Sequence, residues 1–513
     1  MYKVINNIIR NFFNSNLRGL FKNIFSFITK RPIFISQGTK KETFQKEVWY
    51  FNSSSHLDFS SIFSEIGKLL LDKLEMEGLT VSALLCTGGP SYCQTGTSIN
   101  NPNHFMPCYS CVKFNKNLLL DNETIEFSKK IKITNKKRSL SDEEILELLK
   151  PSLNWLLRGN HENEIRKEAL RKNLYSAAIK WDHFLSDIDN NLLPKICLIF
   201  NGYTFPEVIV KKILDKRGVK TITFEQGMLE DSIFFTEGFA PDYNFEPRVN
   251  NLNKNEMAIL ENYITRRSKG EFNRAGIEFW NKITSVSLPL SKKIKEYKKT
   301  VSIFLNVPFD SSQVKANTLF NDIYDWLIET KKLIEENSDI LFVYRSHPDE
   351  SRNDKKLYKS TEKWLIENNF SAFDNVEIIS SENKLNSYEL IESSDLVLVY
   401  NSTLALESVL IGKNVLVGGN VHYSRINYFK VASTKKDYHK KFSSMINNEF
   451  SFNEKDLKEV QRYFYSFTFE SSINFNNEIE KNNLRKYSFS IKKDADLNSA
   501  SLNEFINYIY SLD

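Results

Sequence analysis

Across the second half of the chain, unbroken apolar runs alternate with stretches whose apolar positions recur at helical spacing. Thr300–Pro308 (TVSIFLNVP) reads as a buried strand, and Phe320, Ile323, Tyr324, Leu327 and Ile328 then mark one face of a helix. Asp339–Tyr344 (DILFVY) is the next strand, followed by a helix around Tyr358–Glu367, a strand at Val376–Ile379 and a short helix at Ser387–Ile391. Asp395–Tyr400 (DLVLVY), a helix at Thr403–Leu410 and a strand at Asn414–Val417 close the series. Short β-branched strands, each followed by an amphipathic helix, predict a parallel sheet with helices on both faces.

The first half repeats the signal more faintly. Val81–Leu85, Lys195–Phe200 (KICLIF) and Lys220–Phe224 (KTITF) read as strands, with a helix at Phe205–Leu214. A cysteine-bearing loop and a charged helical stretch from Leu140 to Ile188 separate the first two strands. Pro289, in the lysine-rich run Ser287–Lys299, marks a boundary, and the chain ends in an apolar-spaced helix at Leu502–Leu512. The expected class is α/β, with two Rossmann-like domains facing a cleft. Residues 1–31 form a basic amphipathic segment, 32–290 and 300–450 the two domains, and 451–513 a helical extension.

Composition adds limits. A chain of 513 residues exceeds one core, and 41% hydrophobic with 26% charged residues is ordinary for a globular enzyme. No apolar run reaches the ~18–20 residues that span a bilayer, and no secretory signal pattern opens the chain. A cytoplasmic protein is expected. The net charge of +5 is unevenly placed. No acid precedes Glu42, whereas Lys3, Arg10, Arg18, Lys22, Lys30, Arg31, Lys40 and Lys41 do; removing these eight leaves 61 bases against 64 acids. The body therefore lacks the basic surface that nucleic acid requires. Ile5, Ile8, Ile9 and Phe12, then Leu17, Leu20, Phe21, Ile24 and Ile28, form two apolar stripes within the basic segment. Such a segment suits the anionic inner membrane surface, or it packs on its own chain or on a second copy in a homo-oligomer.

In open parallel sheets ligands bind beyond the carboxyl ends of the strands, so chemistry is sought there. Glu225, in Phe224-Glu225-Gln226-Gly227, follows the strand KTITF and is placed to act as a general base or merely to face solvent. Arg345, Ser346, His347 and Pro348 follow DILFVY, and offer phosphate donors on a turn that proline stiffens. Asn401, Ser402 and Thr403 follow DLVLVY and open the helix bearing Glu407; they read as an anion site or as plain helix capping.

Four of the five cysteines, Cys86, Cys93, Cys108 and Cys111, are spaced C-x6-C-x14-C-x2-C, which in a reducing compartment suits a structural zinc ion, an iron–sulfur cluster, or four unbound thiols. Cys197 lies within KICLIF and reads as core. Asp187-Ile188-Asp189 spells D-x-D but closes a helical stretch, where capping explains it. Walker A, G-x-G-x-x-G and H-E-x-x-H sequences do not occur, which removes kinase, dehydrogenase and metalloprotease readings.

RSHPDE and ELIESSDLVLVYNSTLALESVLIGKNVLVGGNVHYS resemble the capsule polysaccharide biosynthesis proteins, which include bacterial β-Kdo transferases. The Glu-x-Gly, His-Pro and Ser-Thr trio is also similar to that of sialyltransferases using CMP-activated sugars, although those often carry two acids before the glycine where this chain has Glu225-Gln226. The resemblance implies a GT-B-like glycosyltransferase of cell-surface polysaccharide synthesis. Glu225 would be the base, and His347 with Ser402 and Thr403 would hold the CMP phosphate. Arg345 is expected to assist the phosphate, with Glu407 near the ribose. The implied partners are a nucleotide-activated sugar, a CMP-linked acidic sugar first, and a glycan or lipid-linked acceptor held by residues 32–290. No cofactor is implied for transfer. Two rival readings are a teichoic-acid-type transferase moving a polyol phosphate from a CDP donor, and a capsule assembly component without turnover.

Overall fold

The computed structural model describes residues 47–53, 62–93, 108–128, 137–159, 163–248, 251–271, 273–274, 277–278, 283–351, 356–481 and 489–512. The basic segment 1–31, with its membrane reading, lies outside them. No helix among the described residues is long and apolar enough to cross a membrane.

The first domain begins with β1 (Val48–Asn52), α1 (Ile62–Met76), β2 (Val81–Thr87), α2 (Cys108–Leu118) and β3 (Thr124–Ser128). Three helices, α3 (Asp142–Leu148), α4 (Lys150–Leu157) and α5 (Glu164–Ser186), occupy the charged stretch. Pro151 starts α4, and the Ser141–Glu144 capping box starts α3. Then come β4 (Ile196–Phe200), α6 (Glu207–Lys216), β5 (Lys220–Gln226) and β6 (Ser232–Thr236). Helix α7 (Lys254–Ser268), the two-residue strands β7 (Asn273–Arg274) and β8 (Ile277–Glu278), and α8 (Leu288–Glu296) lead to the second domain. That domain alternates β9 (Lys299–Phe304), α9 (Ile323–Glu336), β10 (Ile340–Arg345), α10 (Thr361–Glu367), β11 (Val376–Ile379), α11 (Ser387–Glu392), β12 (Leu396–Val399), α12 (Leu404–Leu410) and β13 (Asn414–Val417). It is followed by α13 (Lys435–Ile446) and α14 (Glu454–Tyr465).

The expected helical extension is corrected at this point. After α14 the chain returns to the first domain, where β14 (Ser472–Asn474) pairs antiparallel with β6. The hairpin β15 (Ile479–Lys481) and β16 (Phe489–Ile491) follows, and α15 (Ala500–Tyr510) buries Leu502 and Phe505 in the first domain's core. Strands of three residues are too short to leave a period in the sequence. A second correction concerns α7: it falls within 32–290, yet its Leu260 and Ile264 join the core of the second domain. An amphipathic helix shows which face it buries, not which sheet it covers.

The sheet orders are β14-β6-β5-β4-β1-β2-β3 and β11-β10-β9-β12-β13. Strands β1 to β5 are mutually parallel, as are all five strands of the second sheet. Strands β9, β10 and β12 are buried almost throughout, as a sheet covered on both faces requires. The fold is α/β, with two Rossmann-like domains.

Candidate functional site

The five parallel strands of each sheet run in the same spatial order: third, second, first, fourth, fifth. Each sheet therefore reverses direction once, between β1 and β4 in the first domain and between β9 and β12 in the second. Ligand sites of such sheets lie at that reversal, outside the strand carboxyl ends.

On the first side, β4 leaves its sheet through Asn201 and Gly202, both with left-handed backbones (φ +59° and +94°). Asparagine and glycine tolerate that region best, and the turn aims Asn201 at the neighbouring strand end. Its Nδ2 donates to Glu225 Oε2 at 2.7 Å, while the Gln226 N–H donates to Oε1 at 2.9 Å. These two donors set the plane of a half-buried carboxylate. Gly227 has a packing reason too: a Cβ there would lie 2.3 Å from Ser232 Oγ and 2.5 Å from Ser472 Oγ. The returning strand β14 thus presses on the turn that follows Glu225.

On the second side, His347 is half-buried and its Nδ1 accepts the Asp349 N–H at 3.1 Å, so a neutral ring carries its proton on Nε2. Pro348 opens the short turn Pro348–Ser351 that presents the ring. The expected roles of two neighbours are corrected. Arg345 is only 2% exposed, and its guanidinium donates to the carbonyls of Ser380 and Asn383, tying down the loop after β11. Ser346 is fully buried, and its hydroxyl lies 3.0 Å from the Thr361 hydroxyl oxygen, to which it can donate. Both side chains are buried and engaged within the protein. Thr361 donates, through N–H and hydroxyl, to Glu350, whose buried carboxyl is pushed up to about 7 by loss of water.

The loop after β12 divides the same way. Asn401 spends its amide on Gln313 (2.7 Å) and the Ser312 carbonyl (2.9 Å), joining this loop to the one after β9. Ser402 Oγ accepts the Leu404 N–H at 3.2 Å, and its carbonyl accepts the Tyr423 hydroxyl at 2.6 Å. The half-buried Thr403 hydroxyl has no hydrogen-bond partner among the described residues. Glu407, expected near a ribose, is instead 1% exposed in a two-pronged pair with Arg267 of α7, both contacts 3.0 Å, and it also accepts the Tyr388 hydroxyl. A carboxylate so engaged is architecture, and it locks α12 to α7 and α11.

Two contact chains connect the sides. In one, the Tyr243 hydroxyl donates to the Gln226 carbonyl at 3.0 Å, and its ring lies 5.6 Å from that of His422, whose neighbour Tyr423 bonds Ser402. In the other, Asn201 Oδ1 accepts the Tyr203 N–H, the Tyr203 hydroxyl donates to Asp242 at 2.8 Å, and Lys315 of the second domain pairs with Asp242. His422 is packed among Tyr243, Tyr463 and Phe467, and burial pushes its imidazole down to about 3, so it stays neutral. Glu225 and the Ser402–Thr403 turn thus border one seam between the domains. Asn201, Arg267, Tyr243, Lys315 and His422 were missed from sequence. Only Asn201-Gly202, a turn pair directly after a strand, carried a local signal.

Cys86 is the penultimate residue of β2, Cys93 lies six residues past Thr87, and Cys108 and Cys111 lie in the first turn of α2. Burial, then repulsion from Cys93 and Cys108, lifts the Cys86 thiol to about 12. Burial and all three other thiols raise Cys111. Among the described residues, no three His, Cys, Asp or Glu side chains already stand where one ion could be held. Cys197 is fully buried within β4. Asp187 caps α5, and Asp189 begins the turn Asn190–Leu192.

No protein-family model matches the chain, and no curated protein matches it. Among solved structures it is similar to KpsC of Thermosulfurimonas dismutans, a beta Kdo 2,4 transferase, at 13% identity and a TM-score of 0.36 over 52% of this chain and 78% of that one. The beta Kdo 2,7 transferase structure of the same protein gives 15% identity and a TM-score of 0.33, over 62% and 85%. Alpha,alpha-trehalose 6-phosphate synthase of Burkholderia multivorans gives 9% and 0.32, over 91% and 99%. The architecture described above stands on this chain's own strand orders.

Proposed function

We propose that this chain is a GT-B-type glycosyltransferase of cell-surface polysaccharide synthesis, taking a CMP-linked acidic sugar as donor. The observation that carries the reading is the seam itself. One oriented carboxylate, Glu225, borders it at one sheet reversal, and the Ser402–Thr403 turn borders it at the other. A carboxylate on the acceptor side suits removal of a proton from a sugar hydroxyl as the new bond forms. His347 Nε2–H and the Thr403 hydroxyl suit hydrogen bonds to the departing phosphate, whose charge grows as the glycosidic bond breaks. Holding both substrates in line and placing donors where charge develops would supply most of the rate. The acceptor is a glycan or a lipid-linked glycan. The basic residues before Glu42 support work at the inner membrane face, and vesicle sedimentation with and without them tests that part.

The deciding experiment offers CMP-, CDP- and UDP-linked donors with oligosaccharide acceptors and measures the nucleotide released and the mass added. CMP release with one sugar added is expected. CMP release with a polyol phosphate added would move the protein to the teichoic-acid type, and no release from any donor would sink the enzymatic reading.

A further inference from the structure

One turn, Ala240–Tyr243 between β6 and α7, holds both residues that orient Glu225. The Ala240 N–H donates to the Asn201 carbonyl at 3.2 Å, and the Tyr243 hydroxyl donates to the Gln226 carbonyl at 3.0 Å. Asn201 and Gln226 are the two donors to the Glu225 carboxylate. Asp242, in the same turn, accepts the Tyr203 hydroxyl at 2.8 Å, and the N–H of Tyr203 is fixed on Asn201 Oδ1 at 3.0 Å. The Tyr203 ring stacks on Phe239, with centroids 4.2 Å apart and planes 5° from parallel. Burial, and then the Asp242 carboxylate, raise the Tyr203 phenol, so the proton of that hydrogen bond stays on the hydroxyl. Tyr243 has a left-handed backbone (φ +45°), which is costly for a bulky residue and persists only where surrounding contacts impose it.

Lys315 grips this turn from the second domain. Its ammonium pairs with Asp242, whose side chain is only 17% exposed. Four near neighbours of Lys315 in the chain are fastened to strand exits. The Ser312 carbonyl and the Gln313 amide bond Asn401, the Ala316 carbonyl accepts the Asn420 N–H at 2.8 Å, and Asn317 Oδ1 accepts the Tyr400 hydroxyl at 2.6 Å. Gly419 leaves room for this approach, since a Cβ there would lie 3.0 Å from the Ala316 carbonyl. A cation carried in this way moves with the exits of β12 and β13, beside Ser402 and Thr403. We propose, on the reading of Glu225 as the base, that the turn Ala240–Tyr243 is its positioning element and that Lys315 is a positioning residue that sets the turn from across the seam. The carboxylate is then aligned for proton removal only while the loop carrying Lys315 is docked on Asp242. Proton removal is thereby tied to the apposition of the two domains.

The test uses the full chain with ¹³C-labelled glutamate carboxyls, the Glu225 signal being the one lost in Glu225→Gln. Displaced donors stabilise a carboxylate less, so Tyr203→Phe, which alters no charge, should raise the Glu225 titration midpoint by about half a pH unit or more. Asp242→Ala should raise it as well, whereas loss of a neighbouring anion by itself would lower it. Lys315→Ala should lower kcat about 10–100-fold at an unchanged donor KM, and Lys315→Arg should recover most of the loss. A midpoint that fails to rise in a folded Tyr203→Phe or Asp242→Ala chain would overturn the role of the turn; should one of the two misfold, the other decides. Wild-type kcat in Lys315→Ala would remove Lys315 from it. A wild-type chain that releases no nucleotide from any donor sinks the transferase reading instead, and the titration still decides the positioning.

Discussion

At the first domain's sheet reversal the charged group is half-exposed and neutral groups hold it: Glu225 is steadied by an asparagine amide and a backbone N–H. At the second domain's reversal the arrangement is inverted. Arg345, Glu350 and Glu407 are all buried, and the half-exposed groups, His347, Ser402 and Thr403, are neutral hydroxyls and an imidazole. The difference separates two uses of charge. Buried charges close to a strand end build the loops, because a desolvated ion must be matched by partners in fixed positions. A half-exposed charge remains available to a ligand. In this chain the residues beside the recognisable motif set its shape, and the proposed reading leaves proton removal to the other domain.

Breaking the buried side should cost most. Arg267→Ala leaves the Glu407 carboxylate buried without its cation, and should lower stability by about 3–5 kcal/mol, read from the urea midpoint. A loss below about 1 kcal/mol would mean that Glu407 is not desolvated in solution. On the exposed side, Glu225→Gln should leave the urea midpoint and donor affinity in place while turnover falls ~10²–10⁴-fold. Turnover that survives would assign the base elsewhere.

The contrast also has a pH signature. Glu350 has a folded pKa of about 7 against an ordinary value of 4.5, so the folded state binds its proton more tightly. Its contribution should be greatest below about pH 4.5 and decline as pH rises to about 7, by about 3 kcal/mol in all. Glu350→Gln should flatten that part of the stability–pH curve; an unchanged slope in the variant would show that another group titrates. His347→Ala should weaken nucleotide binding by roughly 1.5–3 kcal/mol without changing the unfolding midpoint, as measured by calorimetry. Lys315→Ala removes a mostly exposed cation from its pair with the largely covered Asp242, and less than about 1 kcal/mol is expected from denaturation.

Much of the second domain was readable in advance. Runs such as DLVLVY end where apolar residues stop, so the positions of His347 and Ser402 at strand ends followed from a local pattern. The first domain was harder. Its strand β1, Val48–Asn52, holds three adjacent aromatics in an isolated five-residue run, and β3, Thr124–Ser128, is mostly half-buried. Neither presents a period long enough to recognise. The exposure of the site residues was not readable at all: Arg345 and His347 are two positions apart in one motif, yet one is committed to the carbonyls of Ser380 and Asn383 and the other is half-buried at the strand end.

Strands, helices and the turns between them are set by contacts among near neighbours, so apolar spacing along the chain was enough to determine two α/β units and the strand ends at which chemistry is proposed. Which charges are buried, which strands complete a sheet and which loops face one another depend on partners far away in the chain. Arg267 reaches Glu407, Gly227 is pressed by Ser472, and Asp242 meets Lys315. Such pairings arise only when the chain closes on itself, because the desolvation that commits a charge comes from whichever distant element covers it, and no local pattern records that.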